Sequence, residues 1–112
     1  MSEVYPPITN EIFKLRSELT PSQSAAFAQF SKVVFADGAL DTKIKQVIAV
    51  AVAHVTQCPY CITHHTNLAL KYGASQQEIM EAIWVAAEMR AGAAYATSAI
   101  ALTAMRDSVK EG

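Results

Sequence analysis

Hydrophobic residues recur along the chain at the three- and four-residue spacing of helices, and no segment alternates polar and apolar residues over a useful length. Between Asp41 and Cys58 apolar side chains occupy nearly every side of a helical projection, which is typical of a helix buried in a core or an interface. The pattern predicts an all-α, single-domain bundle of about five to six helices. Their predicted spans are 9–18, 21–36, 42–56, 59–72 and 76 to about 90, with a final segment to about 109.

Capping signals set the first of these boundaries. Thr20 offers a hydroxyl just before Pro21, so we expect an N-cap followed by proline at the first helical position. Gly38 is predicted to end that helix in a left-handed turn, and Asp41 to cap the helix that follows. Gly73 is the predicted stop of the helix that begins near residue 59.

The later boundaries use the same signals. Cys58, followed by a proline, repeats the pattern of a cap and a first helical residue. Ser75 and Glu78 have the spacing of a capping box, which predicts a helix starting near residue 76. Gly92 leaves two possibilities open, because it either separates a last alanine-rich helix or lies inside one bent helix.

Length and composition limit the function classes. A chain of 112 residues fits one domain, residues 1–112. Its composition is 52% hydrophobic and 17% charged, more apolar than a lone domain easily covers, which favours a homo-oligomer. The net charge of -1 and the lack of a Lys/Arg block argue against nucleic-acid partners.

We also expect neither an export signal nor a membrane span. Its first ten residues have neither the basic nor the apolar region of a signal peptide, which indicates the reducing cytoplasm. The longest uncharged stretch, 91–105, is shorter than the roughly 18 apolar residues that suggest a membrane span. We therefore expect no membrane partner and no permanent disulfide between the two cysteines.

The candidate chemistry lies in Cys58-Pro59-Tyr60-Cys61-Ile62-Thr63-His64-His65. On a helix, Cys58, Cys61 and His65 project from nearly one face, because they are three and four residues apart. The helix N-terminus favours a thiolate, the form that attacks peroxides and disulfides, and a nearby imidazole can exchange the thiol proton. We expect the two cysteines to form a reducible disulfide.

Two plainer interpretations remain open for the same residues. The cysteines could be small buried hydrophobes, since free cysteine is often buried for packing alone. Alternatively Cys58, Cys61 and His65, with His54 or His64 as fourth ligand, could bind zinc. Structural zinc normally takes ligands from two separated segments, so we predict neither a metal nor another cofactor. His64 points about 100° away from His65 and is left out of the proton path.

These features resemble the carboxymuconolactone decarboxylase superfamily and, within it, the alkylhydroperoxidase D-like proteins. The matching features are Leu40-Asp41-Thr42-Lys43 before a long apolar helix, the CxxCxxxH motif from Cys58 to His65, Gly73-Ala74-Ser75, and Glu78-Ile79. The resemblance covers a core of about residues 35–105. It implies a helical, oligomeric fold, expected as a hexamer, with a trimer as the alternative.

The resemblance further implies an antioxidant peroxidase or disulfide reductase, an oxidoreductase whose partners are a hydroperoxide and a thiol or dithiol reductant. Relatives give the attacking role to the second cysteine, here Cys61, with Cys58 resolving and His65 in a proton relay. The N-cap position of Cys58 would also lower the pKa of its thiol, so residue chemistry leaves both assignments open.

The family relay also contains a glutamate twelve residues before the first cysteine, and this chain has Gln46 there. An amide can hydrogen-bond but cannot shuttle a proton, which weakens the expectation of strong peroxidase activity. His54 is a possible second base in the relay. Two rival functions stay open: a redox-sensing module without turnover, and a decarboxylase of the superfamily's namesake type, which the dithiol disfavours.

Overall fold

The computed structural model describes residues 4–111, with side chains described for residues 4–109, and it contains five helices and no strand within that part of the chain. This confirms the predicted all-α fold. The helices are α1 (Asn10–Leu19), α2 (Pro21–Phe35), α3 (Thr42–Thr56), α4 (Pro59–Lys71) and α5 (Gln76–Glu111). The chain groups into two compact units that divide between Lys45 and Gln46, inside α3. The predicted single-domain organisation stays a prediction.

In the first unit, α1 and α2 meet at Thr20, which is the C-cap of one helix and the N-cap of the next. The prediction that its hydroxyl caps α2 is wrong. The Thr20 hydroxyl instead donates to the carbonyl of Arg16 at 2.8 Å, and the Thr20 N–H bonds the same carbonyl at 2.9 Å. The Thr20 hydroxyl thus satisfies an unpaired carbonyl at the end of α1, whereas the sequence pattern predicted that it would cap α2.

The end of α2 also differs from the prediction. The helix stops at Phe35 with Ala36 in an extended conformation, and Gly38 is not left-handed. The Nζ of Lys45 donates to the carbonyls of Val34 at 2.8 Å and Ala36 at 2.6 Å. Because a lysine satisfies these carbonyls, the helix ends without the left-handed glycine turn that usually does so.

Two aspartates fix the start of α3. The Oδ1 atom of Asp41 accepts the N–H of Ile44 at 2.8 Å, which confirms the predicted cap. Asp37, which the sequence analysis missed, accepts the N–H of Thr42 at 2.8 Å and its hydroxyl at 3.0 Å. These bonds from Thr42 lower the pKa of the Asp37 carboxyl. The entry to the central helix is therefore capped twice.

The second unit holds the apolar core. Val50, Ala69, Ala74 and Ile79 are buried together there, with partly buried side chains of Val47 and Ile83 packed against them. These residues come from α3, α4, the turn after α4 and the start of α5. Burying their apolar side chains together therefore stabilises the packing of the three helices against one another. This packing supports the segments that carry the candidate site.

The turn between α4 and α5 forms as predicted. Gly73 is left-handed at φ 98°, with its N–H on the carbonyl of Leu70 at 3.1 Å and that of Ala74 on Ala69 at 2.9 Å. This is the two-bond Schellman ending. The capping box then starts α5: the Ser75 N–H donates to Glu78 Oε1 at 2.8 Å, and the Glu78 N–H to Ser75 Oγ at 3.0 Å.

Helix α5 runs unbroken through Gly92, so of the two possibilities left open by the sequence the single helix is the one observed. None of the helices described combines the length and hydrophobicity needed to cross a membrane.

Candidate functional site

A tight connection between α3 and α4 positions the first cysteine. Gln57 adopts a left-handed conformation at φ 57°, and the N–H of Cys58 bonds the carbonyl of Ala53 at 3.2 Å. This ends α3 and turns the chain at once into α4. Cys58 has the extended backbone of an N-cap, at φ -101° and ψ 101°. The cap-and-proline signal read from the sequence is confirmed.

The two cysteines are joined in a disulfide at the N-terminus of α4, with their Cα atoms 5.3 Å apart. This separation lies within the usual range of about 4.4 to 6.8 Å for disulfides. The Sγ atom of Cys58 also accepts the N–H of Cys61 at 3.2 Å. A sulfur in this position is held by one of the unpaired N–H groups of the helix start, which favours negative charge on it.

The third site residue, His65, lies one turn further along α4 and is linked to α3. Its Nδ1 donates to the side-chain Oε1 of Gln46 at 2.7 Å, across 19 residues of sequence. Gln46 is a buried polar side chain with 3% of its surface exposed. The structure thus brings together the histidine of the motif and the residue that stands at the glutamate position of the family relay.

Burial lowers the pKa of the His65 imidazole below its usual value, and the charge of neighbouring His64 lowers it further. A neutral imidazole is the form that accepts a proton, so His65 is suited to act as a base near pH 7. The same shift links folding to pH. Stability that depends on neutral His65 is fully present above its unfolded pKa of about 6.5 and declines as pH falls from there to the lowered folded value.

The other two histidines have different surroundings. The Nδ1–H of His54 donates a hydrogen bond to the carbonyl oxygen of Val50 at 2.7 Å, one turn earlier in the same helix. His64 is exposed, and its ring meets that of His65 edge-on with centroids 4.9 Å apart. Within the described residues, no group of three or more His, Cys, Asp or Glu side chains is arranged to hold a metal ion. The relay role suggested for His54 stays a prediction.

One contact near the site was missed by the sequence analysis. The guanidinium of Arg90 on α5 donates to the carbonyl of Val55 at 3.0 Å, in the last turn of α3. A cation at a helix C-terminus is favourable because it meets unpaired carbonyls and the negative end of the dipole. In the sequence, the basic charge of Arg90 on an apolar helix was only a weak signal of such a contact, since most basic side chains contact only solvent. Arg90 stabilises the segment that leads into Cys58.

The left-handed Gln57 gives a stability prediction. Glycine adopts this conformation without the cost of a Cβ, so Gln57→Gly should raise the free energy of unfolding by about 0.5 to 1 kcal/mol after allowing for the freer unfolded chain. Thermal denaturation at fixed protein concentration measures it. Gly73→Ala is the matched control: its Cβ would meet no atom within 4 Å, so the φ of 98° alone should make it destabilising. An unchanged or lowered melting temperature for Gln57→Gly would contradict the prediction.

Comparison with known proteins shows the family to which the chain belongs. Residues 21–104 match the Carboxymuconolactone decarboxylase family. A protein of Paracoccus denitrificans, named uncharacterized protein 4 in the cox locus, is 54% identical over 105 residues, covering 94% of this chain and 95% of the relative. The helical fold, the family match and this relative together place the chain in a known class. The chain belongs to the carboxymuconolactone decarboxylase family.

Two solved structures agree with this membership. A carboxymuconolactone decarboxylase family protein from Legionella pneumophila is 35% identical, with a TM-score of 0.65 over 70% of each chain. A family protein from Thermotoga maritima, described as having a suggested part in the antioxidative response, is 25% identical with a TM-score of 0.55. That match covers 80% of this chain and 96% of the other.

Proposed function

We propose that this protein is a thiol-dependent hydroperoxide reductase that also reduces disulfides, with Cys58 and Cys61 as its redox centre and His65 as its base. The observation that carries the proposal is the disulfide at the start of α4, one turn before a histidine whose Nδ1 is held by a buried amide. The suggested antioxidative part of the Thermotoga maritima protein supports the same chemistry.

The proposed cycle begins with the reduced dithiol. A thiolate of one cysteine attacks the hydroperoxide, an S–O bond forms as the O–O bond breaks, and the alkoxide leaves and is protonated to the alcohol. The other thiolate attacks the sulfenic sulfur and expels hydroxide, which leaves as water, so the Cys58–Cys61 disulfide forms. His65 takes the thiol proton before attack and returns a proton to a departing oxygen.

An external dithiol closes the cycle by thiol–disulfide exchange. Its thiolate attacks one sulfur of the protein disulfide, and its second thiol then displaces the protein as a reduced dithiol, leaving the reductant oxidised. One hydroperoxide and one reductant dithiol are consumed for each alcohol, water and reductant disulfide formed. We propose that the cycle runs in the cytoplasm, where such reductants are available.

Steady-state assays test this function. Pure protein should consume an alkyl hydroperoxide only when a dithiol such as dihydrolipoamide is supplied, with one dithiol oxidised per peroxide. A rate of peroxide consumption with dithiol that is the same with and without the protein would contradict the proposal. A protein that forms its disulfide once and then shows no turnover with monothiols or dithiols would be the redox-sensing module instead.

The dithiol also separates this proposal from the reaction for which the family is named. A decarboxylase acting on a lactone acid needs basic or imidazole groups around an anionic substrate and no redox pair. Here the residue facing His65 from α3 is an uncharged amide, and the first turn of α4 is occupied by the disulfide. The site chemistry therefore favours dithiol–disulfide redox chemistry over decarboxylation.

We also propose that the protein is a homo-oligomer, with a hexamer expected and a trimer as the alternative. The second half of α5 supports this: residues 91–105 carry no charge, and large apolar side chains are exposed along it, namely Tyr95, Ile100, Leu102 and Met105. Exposed apolar surface of this extent is normally covered by a partner, here further copies of the chain. Light scattering at micromolar concentration should therefore give a closed oligomer, and a 12.1 kDa monomer would contradict it.

A further inference from the structure

The contact between Gln46 and His65 determines more than the position of the ring. Gln46 has only 3% of its surface exposed, so its amide must be hydrogen-bonded inside the protein to offset the cost of burial. Its Oε1 lies 2.7 Å from Nδ1 of His65. An amide oxygen only accepts hydrogen bonds, so this bond requires a proton on Nδ1. In a neutral imidazole the other nitrogen, Nε2, then carries the lone pair.

We propose that Gln46 is a positioning residue that holds His65 in the tautomer with Nδ1 protonated, which makes Nε2 the nitrogen that accepts the thiol proton. The tautomer is a property of the folded protein, whereas its use by the dithiol rests on the proposed function. Fixing a base in one tautomer and one ring orientation removes unproductive states before each proton transfer.

The uncharged acceptor also sets the pH range of this base. A carboxylate at position 46 would accept the same Nδ1 proton but would stabilise the imidazolium and raise the pKa of His65. The amide does not, and burial keeps that pKa low. The charged group that contributes to the shift is His64, on the same helix; α3 presents the neutral Gln46, and no charged group of α5 contributes among the described residues. His65 therefore stays a competent base at lower pH than a carboxylate-paired histidine would.

Nitrogen-15 NMR of the full chain tests the tautomer directly, because long-range proton–nitrogen couplings distinguish protonated from unprotonated ring nitrogens. The protein has three histidines, so the spectrum is simple to assign. Wild-type His65 should carry its proton on Nδ1 above its pKa, and Gln46→Leu should shift it toward Nε2. His54 is an internal control, because its Nδ1 bonds the carbonyl of Val50 and should stay protonated in every variant.

The pH dependence of thiol alkylation in the reduced protein tests the use of Nε2. Gln46→Glu keeps a buried oxygen acceptor, so the Nδ1 tautomer should persist while the acid limb of the profile moves up by about one pH unit or more. Gln46→Glu therefore still tests the contact between residue 46 and His65 if Gln46→Leu does not fold. Thr63→Ala, at an exposed residue of α4, is the control and should leave the limb in place.

The two readouts separate the possible failures. A proton on Nε2 of wild-type His65, or an unchanged tautomer in a folded Gln46→Leu protein, would overturn the positioning role of Gln46. A fixed Nδ1 tautomer with an acid limb that Gln46→Glu does not move would overturn Nε2 as the base, and with it the proton path of the proposed function. Dithiol-dependent peroxide consumption measured on the same samples shows independently whether the function itself holds.

Discussion

Replacing either cysteine with serine should lower dithiol-dependent peroxide turnover, and losing the attacking cysteine should lower it by roughly 10³-fold or more, to the uncatalysed rate, because the serine hydroxyl neither ionises near pH 7 nor forms a disulfide. The chain has two cysteines, so each variant leaves a single thiol. Thr63→Ala is a suitable control, since Thr63 is an exposed residue of the same helix. Substantial turnover in both serine variants would contradict the dithiol cycle.

The same pair of variants decides which cysteine attacks. After one addition of hydroperoxide, the variant that keeps the attacking cysteine should accumulate a sulfenic acid that dimedone traps, because its resolving partner is missing. The family resemblance predicts trapping in Cys58→Ser, where Cys61 remains. The bond from the Cys61 N–H to Cys58 Sγ favours charge on Cys58 instead and predicts trapping in Cys61→Ser. Mass spectrometry of the adduct distinguishes the two.

The second large effect is expected at His65. His65→Ala should slow the reaction of the reduced dithiol with peroxide by about 10²-fold, the contribution usually made by a general base. The loss should be greatest near and below pH 7 and should shrink at alkaline pH, where solvent deprotonates the thiols. Stopped-flow thiol oxidation across this range measures it.

His54→Gln is the matched histidine replacement for that experiment. Because the structure bonds His54 to the carbonyl of Val50 in its own helix, we expect a much smaller effect than for His65→Ala. A comparable loss in both variants would support the relay role suggested for His54. Unchanged kinetics in His65→Ala would make that residue structural and would leave the dithiol without its proposed base.

The helix boundaries were predictable from sequence wherever one local signal had no competitor. Asp41, Cys58 with its following proline, the Ser75 and Glu78 box, and Gly73 each satisfy backbone groups within a few residues, and each forms as expected. Thr20 and the end of α2 failed for the opposite reason. A second group, the Arg16 carbonyl in one case and Lys45 in the other, offered a better partner than the expected one.

The site was predictable only in part. The spacing of Cys58, Cys61 and His65 follows from one helix, so sequence periodicity is enough to align them. The bond between Gln46 and His65 joins two helices across 19 residues, and no local pattern specifies it; the expectation came from the family resemblance. The contact of Arg90 with Val55 depends on how α5 packs against α3, which a single sequence does not reveal.

The most direct measurement of the central claim is a single turnover of the fully reduced protein with one equivalent of an alkyl hydroperoxide. The account predicts that one alcohol forms per chain as two thiols are lost, with an intramolecular Cys58–Cys61 disulfide in the alkylated digest that a dithiol then reverses. Two alkylatable thiols that persist after the peroxide has been added, or zinc bound stoichiometrically by the purified protein, would contradict it.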